Sequence, residues 1–84
     1  MQIRETWSVS TERITAYFRT QDDIRQEGEG LFRCGDCEIR MTALPERRIG
    51  PASLPRTELV FSGPEAEKEA LHRRFFLRFI SAGA

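Results

Sequence analysis

Apolar and polar residues alternate most clearly in residues 30–44, in two short runs that meet at Gly35 and Asp36. A two-residue linker with glycine in first place is what a type II′ turn requires, so this segment predicts a β-hairpin. The apolar side chains that we expect to anchor the hairpin in the core are Leu31 or Phe32, Ile39, Met41 and Leu44.

The chain before the hairpin predicts a strand. Residues 2–9 alternate, so that Ile3, Trp7 and Val9 fall on one side and the polar residues on the other. Glu5 breaks this pattern, because it is an acidic residue on the side that the three apolar residues assign to the core.

A helix is predicted to follow this strand. Ser10 offers a hydroxyl cap and Glu12 an acid in the first turn. Helical spacing then continues through Ile14, Tyr17, Phe18, Gln21 and Ile24. We therefore expect the helix to end at Gly28. A strand over residues 13–18 is the competing interpretation, because apolar residues also alternate there.

Residues 45–55 contain three prolines and one glycine. Because proline has no backbone N–H, this composition predicts a long loop without a regular element. Long loops in small domains are often functional, and this one carries Arg47 and Arg48. Residues 57–61 then predict a return to a strand.

The last helix is predicted over residues 64–80. Pro64 lies in its first turn, and Ser62 with Glu65 fits a capping box. The helix should stop near Gly83.

The apolar residues of this last helix form two stripes, whereas a surface helix needs only one. One stripe consists of Ala66, Ala70, Leu77 and Ile80. The other consists of Leu71, Phe75 and Phe79, with Phe76 at the flank of the first. Two explanations are open: the helix is lodged between the sheet and the first helix, or its Phe-rich end (Phe75, Phe76 and Phe79) forms a homodimer contact.

These elements give the order β-α-β-β-β-α, which predicts an α+β two-layer sandwich with two helices on one face of an antiparallel sheet. The 84 residues fit a single domain, residues 1–84. The hydrophobic share of 39% includes six Phe, enough for one core and unlike a disordered chain.

Charge and hydropathy restrict the partners that we expect. The formal net charge is zero, which argues against a protein whose main task is to coat nucleic acid. No apolar run approaches the roughly 20 residues that a membrane span needs, and no signal peptide is evident. We therefore expect a cytosolic protein without a membrane partner, which binds itself or another protein.

Cys34-Gly35-Asp36-Cys37 is the most chemically suggestive motif. A C-x-x-C at a hairpin tip has the shape of a zinc knuckle, and a structural zinc needs two more ligands. These could be His72, the only histidine, with a carboxylate, or the two cysteines of a second chain in a symmetric dimer. A second possibility is redox chemistry, and the third is two thiols that only pack near the turn. We expect no cofactor, with zinc on Cys34, Cys37 and His72 as the alternative.

Arginine is the other candidate binding residue, since twelve of the thirteen basic residues are Arg. Arg47, Arg48 and Arg56 lie in or beside the Pro-rich segment and are candidates for binding an anion. No nucleophile–base pattern or acid–base pair stands out, so we expect a binding domain rather than an enzyme. Nucleic-acid binding through the Arg-rich second half is a further alternative.

Overall fold

The computed structural model describes residues 1–82 and contains one five-stranded antiparallel sheet and two helices. The elements in chain order are β1 (Ile3–Trp7), α1 (Thr11–Arg19), β2 (Arg25–Gly28), β3 (Leu31–Cys34), β4 (Cys37–Ile49), β5 (Ala52–Ser62) and α2 (Glu65–Ala82). The strand order across the sheet is β1-β5-β4-β3-β2. The predicted α+β two-layer sandwich is therefore confirmed, with one strand more than expected.

The central hairpin has the predicted register. Cys34 and Cys37 are directly paired across the turn, and Phe32 pairs with Ile39. Gly35 has a φ of 58°, and no described residue other than glycine, hence not Asp36, has a positive φ. A positive φ at the first of the two turn residues alone is what a type II′ turn requires. Phe32 and Ile39 are buried core residues, whereas Leu44 pairs with Arg56 outside the core cluster.

Helix α1 begins as predicted and ends early. The Ser10 hydroxyl accepts a hydrogen bond from the Arg13 backbone N–H at 3.3 Å. The expectation that this helix continues to Gly28 is wrong, because the chain turns at Thr20, whose hydroxyl donates to the Tyr17 carbonyl at 2.6 Å. The competing strand over residues 13–18 is not formed either.

Residues 25–28 form the additional strand, β2, at one edge of the sheet. All four of its residues are exposed, so it lacks the apolar alternation by which a strand is predicted. At its turn into β3, Gly30 has a φ of 69°, and a Cβ there would lie 2.4 Å from the Met41 carbonyl oxygen. Only glycine fits this position without displacing β4.

The expectation of a loop over residues 45–55 is also wrong. Strands β4 and β5 continue past the rest of the sheet and meet at a second tight turn, Gly50-Pro51. Pairing of β5 with β1 stops at Thr57 and that of β4 with β3 at Arg40. Residues 44–56 therefore form a two-stranded ribbon, and no other strand of the described chain pairs with either edge. We call these residues the ribbon arm. Proline is tolerated there because an edge strand does not need every N–H for the ladder.

The core lies between the helices and one face of the sheet. Its fully buried residues come from both helices and the three central strands: Ile14, Phe18, Phe32, Cys37, Ile39, Leu59, Phe61, Leu71, Phe75 and Phe79. Ile3, Trp7 and Val9 pack against this cluster, as the alternation of residues 2–9 predicts. The buried Thr57 hydroxyl donates to the Val9 carbonyl at 2.6 Å.

Candidate functional site

Helix α2 presents different residues to the core and to the solvent. Lys68, Leu71, Phe75 and Phe79 are buried. The predicted first stripe is on the other side and is exposed: Ala66, Ala70, Leu77 and Ile80. Leu77 is 58% exposed and Ile80 49%. Within residues 1–82, the core-facing stripe of this helix is thus buried and the other is largely exposed.

The three phenylalanines of the predicted interface occupy different environments. Phe75 is at the centre of an aromatic cluster, with its ring centroid 5.3 Å from Trp7 and 4.7 Å from Phe79. Phe75 and Phe79 are buried inside the single chain, so they are not available to a partner. Phe76 is 37% exposed and lies edge-on to Trp7, with 5.7 Å between the ring centroids.

Exposed charges divide α2 into an acidic half and a basic half. Its first turns carry Glu65, Glu67 and Glu69, and its later turns carry Arg73, Arg74 and Arg78. Two of the arginines contact α1 or the chain that follows it. Arg74 binds both oxygens of Asp23, at 3.0 and 3.1 Å, and Arg78 lies over the Tyr17 ring at 5.9 Å.

Lys68 is the only lysine of the chain and is 2% exposed. Its ammonium group donates to the Met1 carbonyl and to the Glu65 carboxylate, so the buried charge has two oxygen partners. The hydrogen bond from Lys68, and after it the one from the Met1 ammonium, lowers the pKa of Glu65. The carboxylate that the sequence assigned to a capping box thus ties α2 to the start of the chain.

Glu5 is the acidic residue that broke the alternation of the first strand. Its Oε1 atom lies 2.7 Å from Nε2 of His72 and accepts a hydrogen bond from the Trp7 indole at 3.1 Å. The Phe61 ring stands edge-on to His72, with 5.3 Å between centroids. The half-buried carboxylate of Glu5 therefore has two side-chain partners beside the core, His72 and Trp7.

The two cysteines share one turn and differ in exposure. Cys37 is buried, whereas Cys34 is half-buried and its thiol donates to Asp23 Oδ2 at 3.5 Å. Burial raises the pKa of Cys34, and the negative charge of Asp23 raises it further. Burial is also the main reason that the pKa of Cys37 is raised. Both environments favour the protonated thiol, the opposite of a redox-active cysteine.

The predicted zinc ligands are not assembled into a site. Within residues 1–82, no three His, Cys, Asp or Glu side chains form a group that could hold a metal ion. Cys34 and Cys37 are adjacent at the hairpin turn, whereas His72 is bonded to Glu5. Residues 1–82 of a single chain therefore offer no complete ligand set for zinc.

The predicted anion-binding arginines all lie on the ribbon arm. Arg47 pairs with Leu54, Arg48 with Ser53, and Arg56 with Leu44. Arg47 and Arg48 are exposed, and Arg56 is half-buried. The structure thus places the three arginines on one protruding element.

A groove of about 440 Å³ lies beside α1, between this helix and the turn that joins β2 to β3. Met41 and Ala43 contribute its apolar surface, and Thr11, Thr15 and Glu29 line it with polar groups. Two further lining residues bind each other, since the Arg19 guanidinium donates to the Gln26 side-chain oxygen at 3.1 Å.

No family model matches the chain, and no curated protein shows significant sequence similarity to it. Neither helix of the described residues is both long and apolar enough to cross a membrane. Two surfaces of the described residues carry candidate binding groups: the exposed apolar stripe of α2 and the ribbon arm with its arginines.

The ribbon arm is the functional candidate whose form sequence reasoning missed. Gly50-Pro51 carries the same signal as Gly35-Asp36, a two-residue linker with glycine first. Gly50 has a φ of 59°, close to the 58° of Gly35. The three prolines concealed this second hairpin, because proline normally counts against a strand.

Proposed function

We propose that this chain is a small binding domain, without catalytic activity, that self-associates through the outer face of α2. The outer face consists of Ala66, Ala70, Phe76, Leu77 and Ile80. The observation that carries the proposal is the exposure of Leu77 and Ile80 on the side of the helix that faces away from the core. Apolar side chains at helical spacing on a solvent face are typical of a helix with a partner.

A second copy of the chain is the partner that the charges favour. In an antiparallel pair of α2 helices, the acidic first half of each helix lies beside the basic second half of the other. The same arrangement sets the small Ala66 and Ala70 of one copy against the large Leu77 and Ile80 of the second. Large side chains against small ones allow close helix packing.

The two-fold axis of this pair passes near Arg73, which lies midway between Ala66 and Ile80. Two arginines then approach each other at the axis, which by itself is unfavourable. Glu69 is one turn away on each helix, so each Arg73 has a carboxylate within reach on both copies. This exchange of partners offsets the repulsion between the like charges.

The size of the contact sets its expected strength. Eighteen residues make a helix of about 27 Å, and one pair of such helices gives an interface near the low end of the usual range, roughly 1,200 Å². We therefore expect weak, concentration-dependent dimers with a dissociation constant on the order of micromolar.

Sedimentation equilibrium across a wide range of protein concentration tests this proposal. We expect a monomer–dimer equilibrium that Ile80→Glu shifts to monomer by at least about tenfold, because it buries a charge in the contact. Ile49→Glu is the matched control, since Ile49 is the same residue type, is 53% exposed and lies on the ribbon arm.

The control should dimerise like the original chain, and circular dichroism should show that both variants remain folded. A chain that stays monomeric at millimolar concentration would refute the proposal. So would an equal loss of association in the two variants.

A further inference from the structure

The ribbon arm is a narrow element that protrudes from the sheet. From Leu44 to Ile49 its strand advances about 17 Å, and the molecule measures 42 Å along its long axis against 25 Å in the other two directions. Its tip is exposed, with Ile49 at 53% and Leu54 at 37%. The arm contributes no residue to the buried core cluster of the described chain.

The arginines of the arm differ from those of the open sheet face in their partners. On the open face, Arg4 pairs with Glu58 at 3.2 Å and Arg40 with Glu38 at 2.9 Å. Within residues 1–82, none of the three arginines of the arm has an ion pair. Glu46 is the only acid of the arm, so the arm carries a net charge of +2.

These arginines lie on both faces of the ribbon. Arg47 is opposite Leu54, and Arg56 is two residues from Leu54 on the same strand. Arg47, Leu54 and Arg56 therefore lie on one face of the ribbon. Arg48 is opposite Ser53 and lies on the other face. A flat acidic surface would contact only one of these faces, whereas the walls of a groove would meet both.

The prolines argue against a partner that adds a strand to the arm. Pro45 lies at the irregularity in register between Leu44 and Arg47, and Pro55 interrupts the free edge of β5. A proline cannot donate to a new ladder, so these edges are poor templates for pairing with another strand.

We propose that the ribbon arm binds double-stranded DNA by lying in the major groove. The major groove is about 12 Å wide and admits a two-stranded β-ribbon. In this position Arg47 and Arg56 face the phosphates of one wall, Arg48 faces those of the other, and Ile49 at the tip approaches the base edges. The zero net charge of the chain argues against extensive coating of DNA but allows a contact confined to one charged arm.

Fluorescence anisotropy with a labelled duplex of about 20 base pairs tests the proposal, with salt varied from about 50 to about 200 mM. Three phosphate contacts predict a slope of log K against log salt near −2.7, which is a loss of about 40-fold over this range. Arg47→Gln with Arg48→Gln should weaken binding and bring the slope to about −0.9.

Arg13→Gln with Arg25→Gln is the matched control. Both residues are exposed and lie outside the arm, and the double variant changes the net charge by the same amount. Its affinity and salt slope should stay close to those of the original chain, and thermal melts should match for the two double variants. An equal effect of the control would mean that charge alone binds DNA, and the proposal would be wrong.

The competing nucleic acids provide the second test. An RNA duplex of the same sequence should bind more weakly, because its major groove is deep and narrow and does not admit a ribbon. Equal binding of the DNA and RNA duplexes, or no binding to DNA at the lowest salt, would overturn the groove-binding proposal. Neither outcome bears on self-association through α2, which is measured without nucleic acid.

Discussion

Individual residues of this chain take their properties from their neighbours more than from the motif in which they occur. Cys34 and Cys37 form a C-x-x-C, yet each thiol lies in a setting that raises its pKa. Asp23 accepts from Cys34 while it is held by Arg74. Burial, joined at Cys34 by the negative charge of Asp23, therefore favours the protonated form of both thiols, whereas an activated cysteine has a lowered pKa.

Alkylation of Cys34 by iodoacetamide at neutral pH should be slow, and Asp23→Asn should accelerate it. Removal of the carboxylate takes away a negative charge that opposes the thiolate, so the pKa of Cys34 falls. The thiolate fraction, and with it the rate of alkylation, therefore rises. Peptide mass spectrometry at timed intervals measures the modification at each cysteine.

Asp22→Asn is the matched control for this experiment. Asp22 is the adjacent exposed acid, and it is not among the groups that shift the pKa of Cys34. The control should leave the rate unchanged. Rapid alkylation of Cys34 in the original chain would contradict a raised pKa for this thiol.

At the scale of elements, the ion pair between Arg74 and Asp23 joins α2 to the segment that follows α1. Arg74 of α2 binds Asp23, which follows α1, and Asp23 in turn meets Cys34 of β3. The hydrogen bond from Arg74 is the main reason that the pKa of Asp23 is lowered. A carboxylate with a lowered pKa in the folded state favours folding when it is ionised.

The contribution of this ion pair should be present at neutral pH and disappear as the pH falls. The ordinary pKa of an aspartate side chain is 3.8 and that of Asp23 in the folded chain is lower, so the loss begins near this ordinary value and is complete below the folded pKa. Both side chains are substantially exposed, so the effect should be only about 0.2–1 kcal/mol.

Thermal melts of the original chain and Asp23→Asn measure this effect. The two should differ at neutral pH and converge at a pH below the folded pKa of Asp23, where this carboxyl group is protonated. Asp22→Asn again serves as the control and should follow the original chain. A constant difference between the original chain and Asp23→Asn down to the lowest pH would show that the ion pair is not its cause.

The whole molecule separates into a packed body and a protruding arm. The core cluster is drawn from the helices and from the part of the sheet that they cover. The two strands of the ribbon arm pair with each other, and the arm adds no residue to the buried core cluster of the described chain. An apolar side chain of the core and one of the exposed arm should therefore contribute differently to stability.

Two isoleucines on the same strand should show this separation. Ile39→Ala removes a side chain that is fully buried and should lower the free energy of unfolding by about 2–5 kcal/mol. Ile49→Ala lies on the arm at 53% exposure and should change it by less than about 0.5 kcal/mol. Urea unfolding followed by circular dichroism measures both values. Similar losses for the two variants would mean that the arm is part of the cooperative core.

Much of the body could be predicted from local patterns. The Gly35-Asp36 turn, the Ser10 cap and the alternation of residues 2–9 each depend on residues close in sequence, and the structure confirms them. Strand β2 could not be predicted in this way, because all four of its residues are exposed and show no apolar alternation. It is recognised as a strand from its pairing with β3 in the folded chain.

The candidate sites depended on contacts that are distant in sequence. The two stripes of α2 were visible in the sequence, but only packing against the sheet decided that Phe75 is buried and Ile80 exposed. Prolines in residues 45–55 indicated a loop, and only the absence of neighbouring strands beside the arm, within the part of the chain that the structure describes, made them compatible with a ribbon. The sequence by itself determined the turns, the cap and the apolar periodicity, because these are local. The tertiary structure decided which faces remain exposed, because burial depends on what the rest of the chain covers.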